Sequence, residues 1–266
     1  MSEAPPRIMI CILHYGDPAL TRRLHRQMLA ADPRWAAHIR VLDNAAPQSY
    51  DRAYAEGETV APGVDKELTG VWRRLPENVY WPGALQFAVG QAGQGGYSHL
   101  WFFNNDVVFI SAPPYLARAA ERLQRLEAIC GPVGVYAPAV ERNPYHEQMV
   151  CNPVAQWRRV VYVDGIAPLL NLAAVKAVGG IDAGGNIYGY GVDIWLSLRI
   201  ARAGWSVLVD HQVALKHHYH STARRLDGFL SAAGSAEQAF LTERLGMDYK
   251  EQIKALQRDY RDEHKI

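Results

Sequence analysis

Tyr97–Ile110 reads YSHLWFFNNDVVFI. Leu100 to Phe103 has the composition of a buried strand, and it stops at three polar residues, Asn104, Asn105 and Asp106. A second apolar run, Val107 to Ile110, follows at once. Buried without partners, polar groups of this kind cost a few kcal/mol each. At the carboxyl end of a central strand in an α/β sheet, the same groups face the ligand crevice. A lone carboxylate flanked by amides there suits a hard divalent cation, which takes oxygen ligands and shares them with phosphate. An Asx-type turn, in which Asn104 and Asp106 cap their own backbone, accounts for the triplet about as well. The flanking sequence tips the balance.

With 266 residues the chain can form one large domain or two intimate lobes around ample core. A formal net charge of +1, with no block of basic residues, argues against a nucleic-acid partner. Cys11, Cys130 and Cys151 are odd in number, widely spaced and form no CxxC pair. That favours a reducing compartment, and so a cytoplasmic protein, over a disulfide framework. Ile8 to Leu13 is too short for a signal core, and no segment reaches the length of a membrane span. Peripheral membrane contact and oligomeric state stay open.

Arg7 to Tyr15 reads as a first strand, broken at Gly16-Asp17-Pro18. Asp17 followed by Pro18 is an N-cap with proline at the first helical position, and Leu20, Leu24 and Met28 then form one stripe. Arg40 to Leu42 is the next strand, ending in Asp43-Asn44, so a βαβ unit begins here. Ala45 to Leu68 reads as a mobile loop, and Val71 to Leu75 as a third strand. A helix opens at Trp81-Pro82-Gly83 and runs to Ala92. Beyond the opening stretch come a helix from Pro114 to Ile129 and strands at Val133–Val140 and Arg158–Val163. A short helix is expected from Leu170 to Val178 and a longer one from Val192 to Ala203. Strands Ser206–Val209 and Val213–His217 precede a charged, amphipathic tail of two helices, Ser235 to Lys265. Glu141 to Cys151 is irregular and is a candidate to shape an acceptor pocket.

Three further clusters carry chemistry. Asp43-Asn44 ends a strand as Asn104–Asp106 does, which puts both at one sheet edge, where a carboxylate can accept a hydrogen bond from a nucleobase imide; turn formation explains the pair nearly as well. Asp193 follows the glycine-rich GGNIYGYG and falls in the first turn of a helix. It is either a helix cap or a general base presented by the loop. In Lys216-His217-His218-Tyr219-His220, His218 and His220 share one face of an extended strand and His217 takes the other. One imidazole here can complete a metal site begun by Asp106, although histidine clusters are often solvated surface; a zinc site of histidines alone lacks a partner at a usual spacing.

Together these stretches resemble nucleotide-sugar glycosyltransferases of the GT-A fold, close to the family-2, rhamnosyltransferase-like group. ICILHYG resembles that family's first strand, VLDNAAP its VVDNxS element, and LPENVYWPGALQFAVGQA its NxGfagaxNxGi segment. LWFFNNDVVF resembles the LLNNDV version of the DxD element. VGGIDAGGNIYGYGVDIWLSLRIARAGW resembles the vGgFDe…EDxDlxxRlxxaGy element, and VALKHHYHST the terminal vxHhxxS element. The match is collinear from about Ile8 to Thr222. It implies an α/β fold of GT-A type, a Rossmann-like nucleotide-binding sheet with helices on both faces, followed by a C-terminal helical tail. Residues 1–110 would bind the nucleotide sugar, 111–225 would hold the acceptor and catalytic groups, and 226–266 would be the helical extension.

The resemblance also implies roles. Asp43 would contact the nucleobase; Asn104 and Asp106 would hold ribose and the metal-bridged diphosphate; His14, Asn44, Asn78, Gly83 and Asn105 would complete the donor site. Asp106 would ligate Mn²⁺ or Mg²⁺, with His217, or else His218, as the late ligand. Asp193 would deprotonate a saccharide, lipid-linked or other hydroxyl acceptor for in-line, inverting attack. Departures fall around these pockets: Val192 and Trp195 replace acidic residues, and Tyr80 and Gln86 replace a glycine and an asparagine. A catalytically weak sugar-nucleotide-binding relative is therefore the alternative. A nucleotidyltransferase would need a basic, glycine-rich loop after the first strand, and His14-Tyr15-Gly16-Asp17 has none.

Overall fold

Ile8–His14 (β1) is buried along its whole length and is the spine of the amino-terminal half of a computed structural model that describes residues 6–50, 73–219, 223 and 226–266. Asp17 accepts from the Ala19 amide and starts helix Pro18–Ala31 (α1), as the Asp-Pro pair predicts. A 3₁₀ turn, Pro33–His38, then leads into Ile39–Asp43 (β2), parallel to β1 with His14 opposite Asp43. Of the expected third strand, Val71 and Trp72 lie outside the described residues, as does most of the Ala45–Leu68 loop; Arg73–Arg74 (β3) pairs with β2. Helix Tyr80–Gln94 (α2) crosses to His99–Asn104 (β4), which runs parallel to β1 on its other side. Two polar strand ends, Asp43-Asn44 and Asn104–Asp106, therefore reach one edge of a parallel unit.

Val107–Phe109 (β5) leaves that edge and pairs with a strand from the far half. Leu116–Cys130 (α3), Val133–Val140 (β6) and Trp157–Val160 (β7) follow the expected order. Leu170, expected to open a helix, lies instead in Leu169–Asn171 (β8), antiparallel to both β4 and β6. The helix starts only at Leu172–Ala177 (α4), where Asn171 Oδ1 accepts from the Ala173 and Ala174 amides. Two leucines buried on both faces give no period, so the Asn171 cap was the legible boundary.

Val192–Arg202 (α5) precedes Ser206–His217 (β9), one long strand where two were expected, with a register shift against β6 between Pro138 and Ala139. Its buried Asp210 accepts from Arg122 and Tyr136, both at 2.6 Å, which satisfies a carboxylate otherwise costly in the core. Phe229–Leu245 (α6) and Tyr249–Arg258 (α7) are the two tail helices. The tail is not helical throughout: Arg261–Glu263 (β10) adds an antiparallel edge strand to β7 and is fastened by Arg158 to Asp262 at 2.6 Å. The sheet order is β10-β7-β9-β6-β8-β4-β1-β2-β3, with β5 beside β9. No helix among the described residues is long and apolar enough to cross a membrane.

Candidate active site

Antiparallel pairing sets Val107 opposite His217 and brings the end of β4 against the end of β9. His217 Nε2 then lies 3.0 Å from Asp106 Oδ1, and the His218 amide donates to the Asp106 carbonyl at 2.9 Å. The His217 ring packs 4.1 Å from that of Tyr219, whose hydroxyl donates to the Arg142 carbonyl. His217 lines the cleft and His218 does not, and the register puts the former beside Asp106; His220 lies outside the described residues. A divalent ion fits this pair. Ligands at ~2.1 Å in octahedral coordination sit ~3 Å from their neighbours, which is the separation of these two atoms. His217 Nδ1 is also buried with no partner among the described residues. No group of three or more His, Cys, Asp or Glu converges there, again among the described residues. Water and diphosphate oxygens would fill the remaining positions, as a Mg²⁺-like ion prefers.

The expected donor residues divide between the cleft and the frame beneath it. Asn104, half-buried, lines the cleft. Asn105 borders it too, but its amide donates to Thr21 Oγ1 at 2.9 Å and to the Tyr15 carbonyl. His14 is fully buried and does not line the cleft. Its Nε2 must carry the proton, because it bonds to the Gln48 carbonyl at 2.9 Å, so Nδ1 accepts from Thr21 at 2.7 Å. Burial holds this imidazole's pKa down, consistent with that neutral tautomer. Asn105, Thr21, His14 and Gln48 thus form one relay that locks the β1 and β4 ends to α1.

Asp43 is likewise fully buried and outside the cleft lining; Oδ1 accepts from the Ala46 amide at 2.8 Å, and Oδ2 receives Arg74 at 2.7 Å. Asn44 and Asn78 line the cleft and are bonded to each other at 2.8 Å, while Asn44 Oδ1 accepts from the Val79 amide. Gly83 is not in the lining. A Cβ there would stand 2.8 Å from Val79 Cβ, so this glycine lets α2 close over its own first turn.

Asp193 reaches the cleft from the first turn of α5, behind a Gly191 cap at φ 81°. Its Oδ2 accepts from the Gly165 amide at 2.5 Å and its Oδ1 from the Ile194 amide at 2.9 Å. Gly165 is itself constrained: a Cβ would lie 2.8 Å from the Trp81 ring, whose Nε1 donates to the Gly165 carbonyl. Asp164, next in sequence, is buried and accepts from Asn143 at 2.5 Å. Burial, then the Asp164 charge, push the Asp193 carboxyl up to about 7. Burial raises Asp164 as well, against the opposing pull of His146 and His217. Asp182 lies elsewhere: Trp195 Nε1 and Arg244 donate to it at 3.0 and 3.1 Å. Val192, in place of an acid, is fully buried against Phe240 and Leu241 of α6.

Much of the remaining wall was not legible from motifs. Tyr80, Tyr188, Tyr190 and Phe229 form an aromatic group, with Tyr80 and Tyr188 rings 5.3 Å apart and Tyr80 stacked on Phe229 at 6.3 Å. Tyr80 has φ 54°, a left-handed backbone that glycine adopts without strain and an L-residue rarely does. Asp164 and Glu237 also line the cleft, whose volume is about 600 Å³. Among the described lining residues there is no Lys or Arg.

A parallel βαβ half joined to a mixed half is the architecture of a GT-A glycosyltransferase fold. Solved structures share it: GalNAc-T7 with UDP, GalNAc and Mn²⁺ superposes with TM-score 0.62 at 12% identity, over 93% of this chain and 49% of that one. Mannosyltransferase PcManGT from Pyrobaculum calidifontis, in complex with GDP-Man and Mn²⁺, gives 0.56 at 13% identity, over 96% and 80%. Those identities show the fold alone. No family model matches the sequence. Uncharacterized proteins of Mycobacterium bovis and Mycobacterium tuberculosis are 30% identical over 151 residues, 55% of this chain and 57% of theirs, so the match spans just over half of each.

Proposed function

We propose that this chain is an inverting glycosyltransferase, family-2 and rhamnosyltransferase-like, that moves a hexosyl or deoxyhexosyl unit from a nucleoside diphosphate to an acceptor hydroxyl, a cytoplasmic step of polysaccharide assembly. The observation that carries it is one cleft, in a GT-A fold, lined by the Asp106–His217 pair and by Asp193. Asp193 takes the acceptor proton as the acceptor oxygen bonds to the anomeric carbon. The bond from that carbon to the phosphate oxygen breaks, and the nucleoside diphosphate leaves with the electron pair. Attack opposite the leaving group inverts the centre. A carboxyl titrating at about 7 suits a base working near neutrality. Mn²⁺ or Mg²⁺, held by Asp106 and His217, would supply positive charge to the diphosphate, in a cleft whose described lining contains no cationic side chain.

At the donor end we assign Asn104 to ribose and diphosphate. A thermal-shift panel of nucleoside diphosphates with and without Mn²⁺, followed by donor hydrolysis and transfer assays, tests the reading. Stabilisation that needs the ion, together with turnover, supports it. Binding without turnover would favour the non-catalytic relative, for which Val192 and Trp195 in place of acids are the argument.

A further inference from the structure

Helix α6 seats itself through Ala233, Phe240 and Leu241, the last two against Val192. Glu237 lies three and four residues before that pair, on the same face, and reaches into the cleft that Asp193 lines. A carboxylate on the packed side of a helix is normally paired. Glu237 is half-buried, yet no described residue hydrogen-bonds or ion-pairs with it; Lys250 acts on it only through its charge. The wall nearby is aromatic, with Tyr188 and Phe229 rings 5.4 Å apart and nearly perpendicular, and Tyr80 edge-on to Tyr188. Tyr80 keeps its place at φ 54°, a conformation that strains an L-residue and that glycine adopts freely. Strain held at a cleft wall points to a side chain kept for what it touches.

We propose that Glu237 is an acceptor-binding residue which, with the Tyr80–Tyr188–Phe229 wall, forms a subsite for a sugar ring. The carboxylate accepts hydrogen bonds from neighbouring ring hydroxyls, and the C–H face of the sugar lies on the aromatic rings. This rests on the glycosyltransferase reading and adds that the acceptor is a saccharide. The carboxylate comes from α6 rather than from the loop bearing Asp193, where Val192 is sealed into the interior. Charge–dipole complementarity is direct: ionised carboxylates only accept, and sugar hydroxyls donate freely.

The test is ligand-observed NMR titration of the full chain, with UDP or GDP and diamagnetic Mg²⁺ present, against methyl glycosides of common hexoses, deoxyhexoses and N-acetylhexosamines, with octyl glycosides as a second arm. Wild type should bind at least one methyl glycoside. Glu237→Ala should weaken that binding about tenfold or more, the loss of a hydrogen bond to a charged group. The near-isosteric Glu237→Gln should weaken it less, and Tyr80→Gly should weaken it as well. Nucleoside diphosphate affinity should stay within about twofold in all three, which also shows that they fold. Glycoside binding that survives Glu237→Ala, that follows only the alkyl chain, or that is missing in wild type overturns the subsite. Wild type that binds no nucleoside diphosphate overturns the glycosyltransferase reading itself, and the subsite with it.

Discussion

Asp106 and His217 are 111 residues apart in sequence, and their side chains meet at 3.0 Å because β5 pairs with the end of β9. A pair set by strand register is pre-organised, so each member is expected to matter to ion binding. Asp106→Ala and His217→Ala should each remove most of the Mn²⁺-dependent affinity for nucleoside diphosphate. His218→Ala should change it by less than about twofold, since its side chain does not line the cleft. Calorimetric titration at matched Mn²⁺ concentrations measures all three, and a His218 effect larger than that of His217 would refute the assigned register.

Tyr80 gives a prediction of sign. It is the first residue of α2, where helix propensity ranks alanine above glycine by about 1 kcal/mol. Its φ of 54° reverses that ranking, because only glycine adopts the left-handed region without strain. Tyr80→Gly should therefore melt higher than Tyr80→Ala, by about 1 kcal/mol in unfolding free energy. Denaturant melts of the two variants decide it; the propensity order would show that the backbone at this residue is not held in the left-handed form.

How far the sequence reaches depends on the range of the interaction. Asp17-Pro18 and the Asn104–Asp106 strand end are local signals: the first starts α1 as a cap, and β4 ends at Asn104. The glycine-for-Tyr80 exchange was visible as a departure, though its meaning needed a backbone angle. Leu170 and Asn171, expected in a helix, lie in a strand; a doubly buried apolar pair has no period to read. His14 and Asp43, read as ligand contacts, spend their polar atoms on Thr21, Gln48, Ala46 and Arg74. Strand-end residues have two uses, binding ligand and locking loops, and spacing does not separate them. Glu237 carried no motif at all, since its place in the cleft depends on how α6 packs over Val192.

Val192→Glu would restore the acid that the resemblance calls for, and it should fail. The side chain is fully buried among Phe240, Leu241 and Tyr249. Placing a carboxylate there without a partner should cost several kcal/mol or displace α6. A large drop in melting temperature without added activity is expected by scanning calorimetry. A variant as stable as wild type, with stronger metal binding, would mean that this side chain reaches the cleft.

Asp193 separates base from cap. Both its oxygens accept backbone hydrogen bonds, from Gly165 and Ile194. Asparagine offers one carbonyl oxygen, so Asp193→Asn leaves one N–H facing an NH₂ group, at a cost of about 1–3 kcal/mol. As the base, its loss should also lower transfer by roughly 10²–10⁴-fold, with donor affinity intact. Acidity gives two independent readouts. The wild-type transfer rate should rise as pH increases through about 7, where the carboxyl loses its proton, and this limb should vanish in the variant. Stability runs the other way. The folded-state value of about 7 lies above the ordinary 3.8, so the protonated carboxyl favours the fold. That contribution is complete below pH 3.8 and is lost as pH rises through about 7, so the wild-type advantage over Asp193→Asn in melting temperature should narrow across that window. Undiminished transfer by Asp193→Asn at pH 7 would move the base to Asp164, the raised carboxyl whose charge acts on Asp193 in the same cleft, since Asp182 is held by Trp195 and Arg244 outside it.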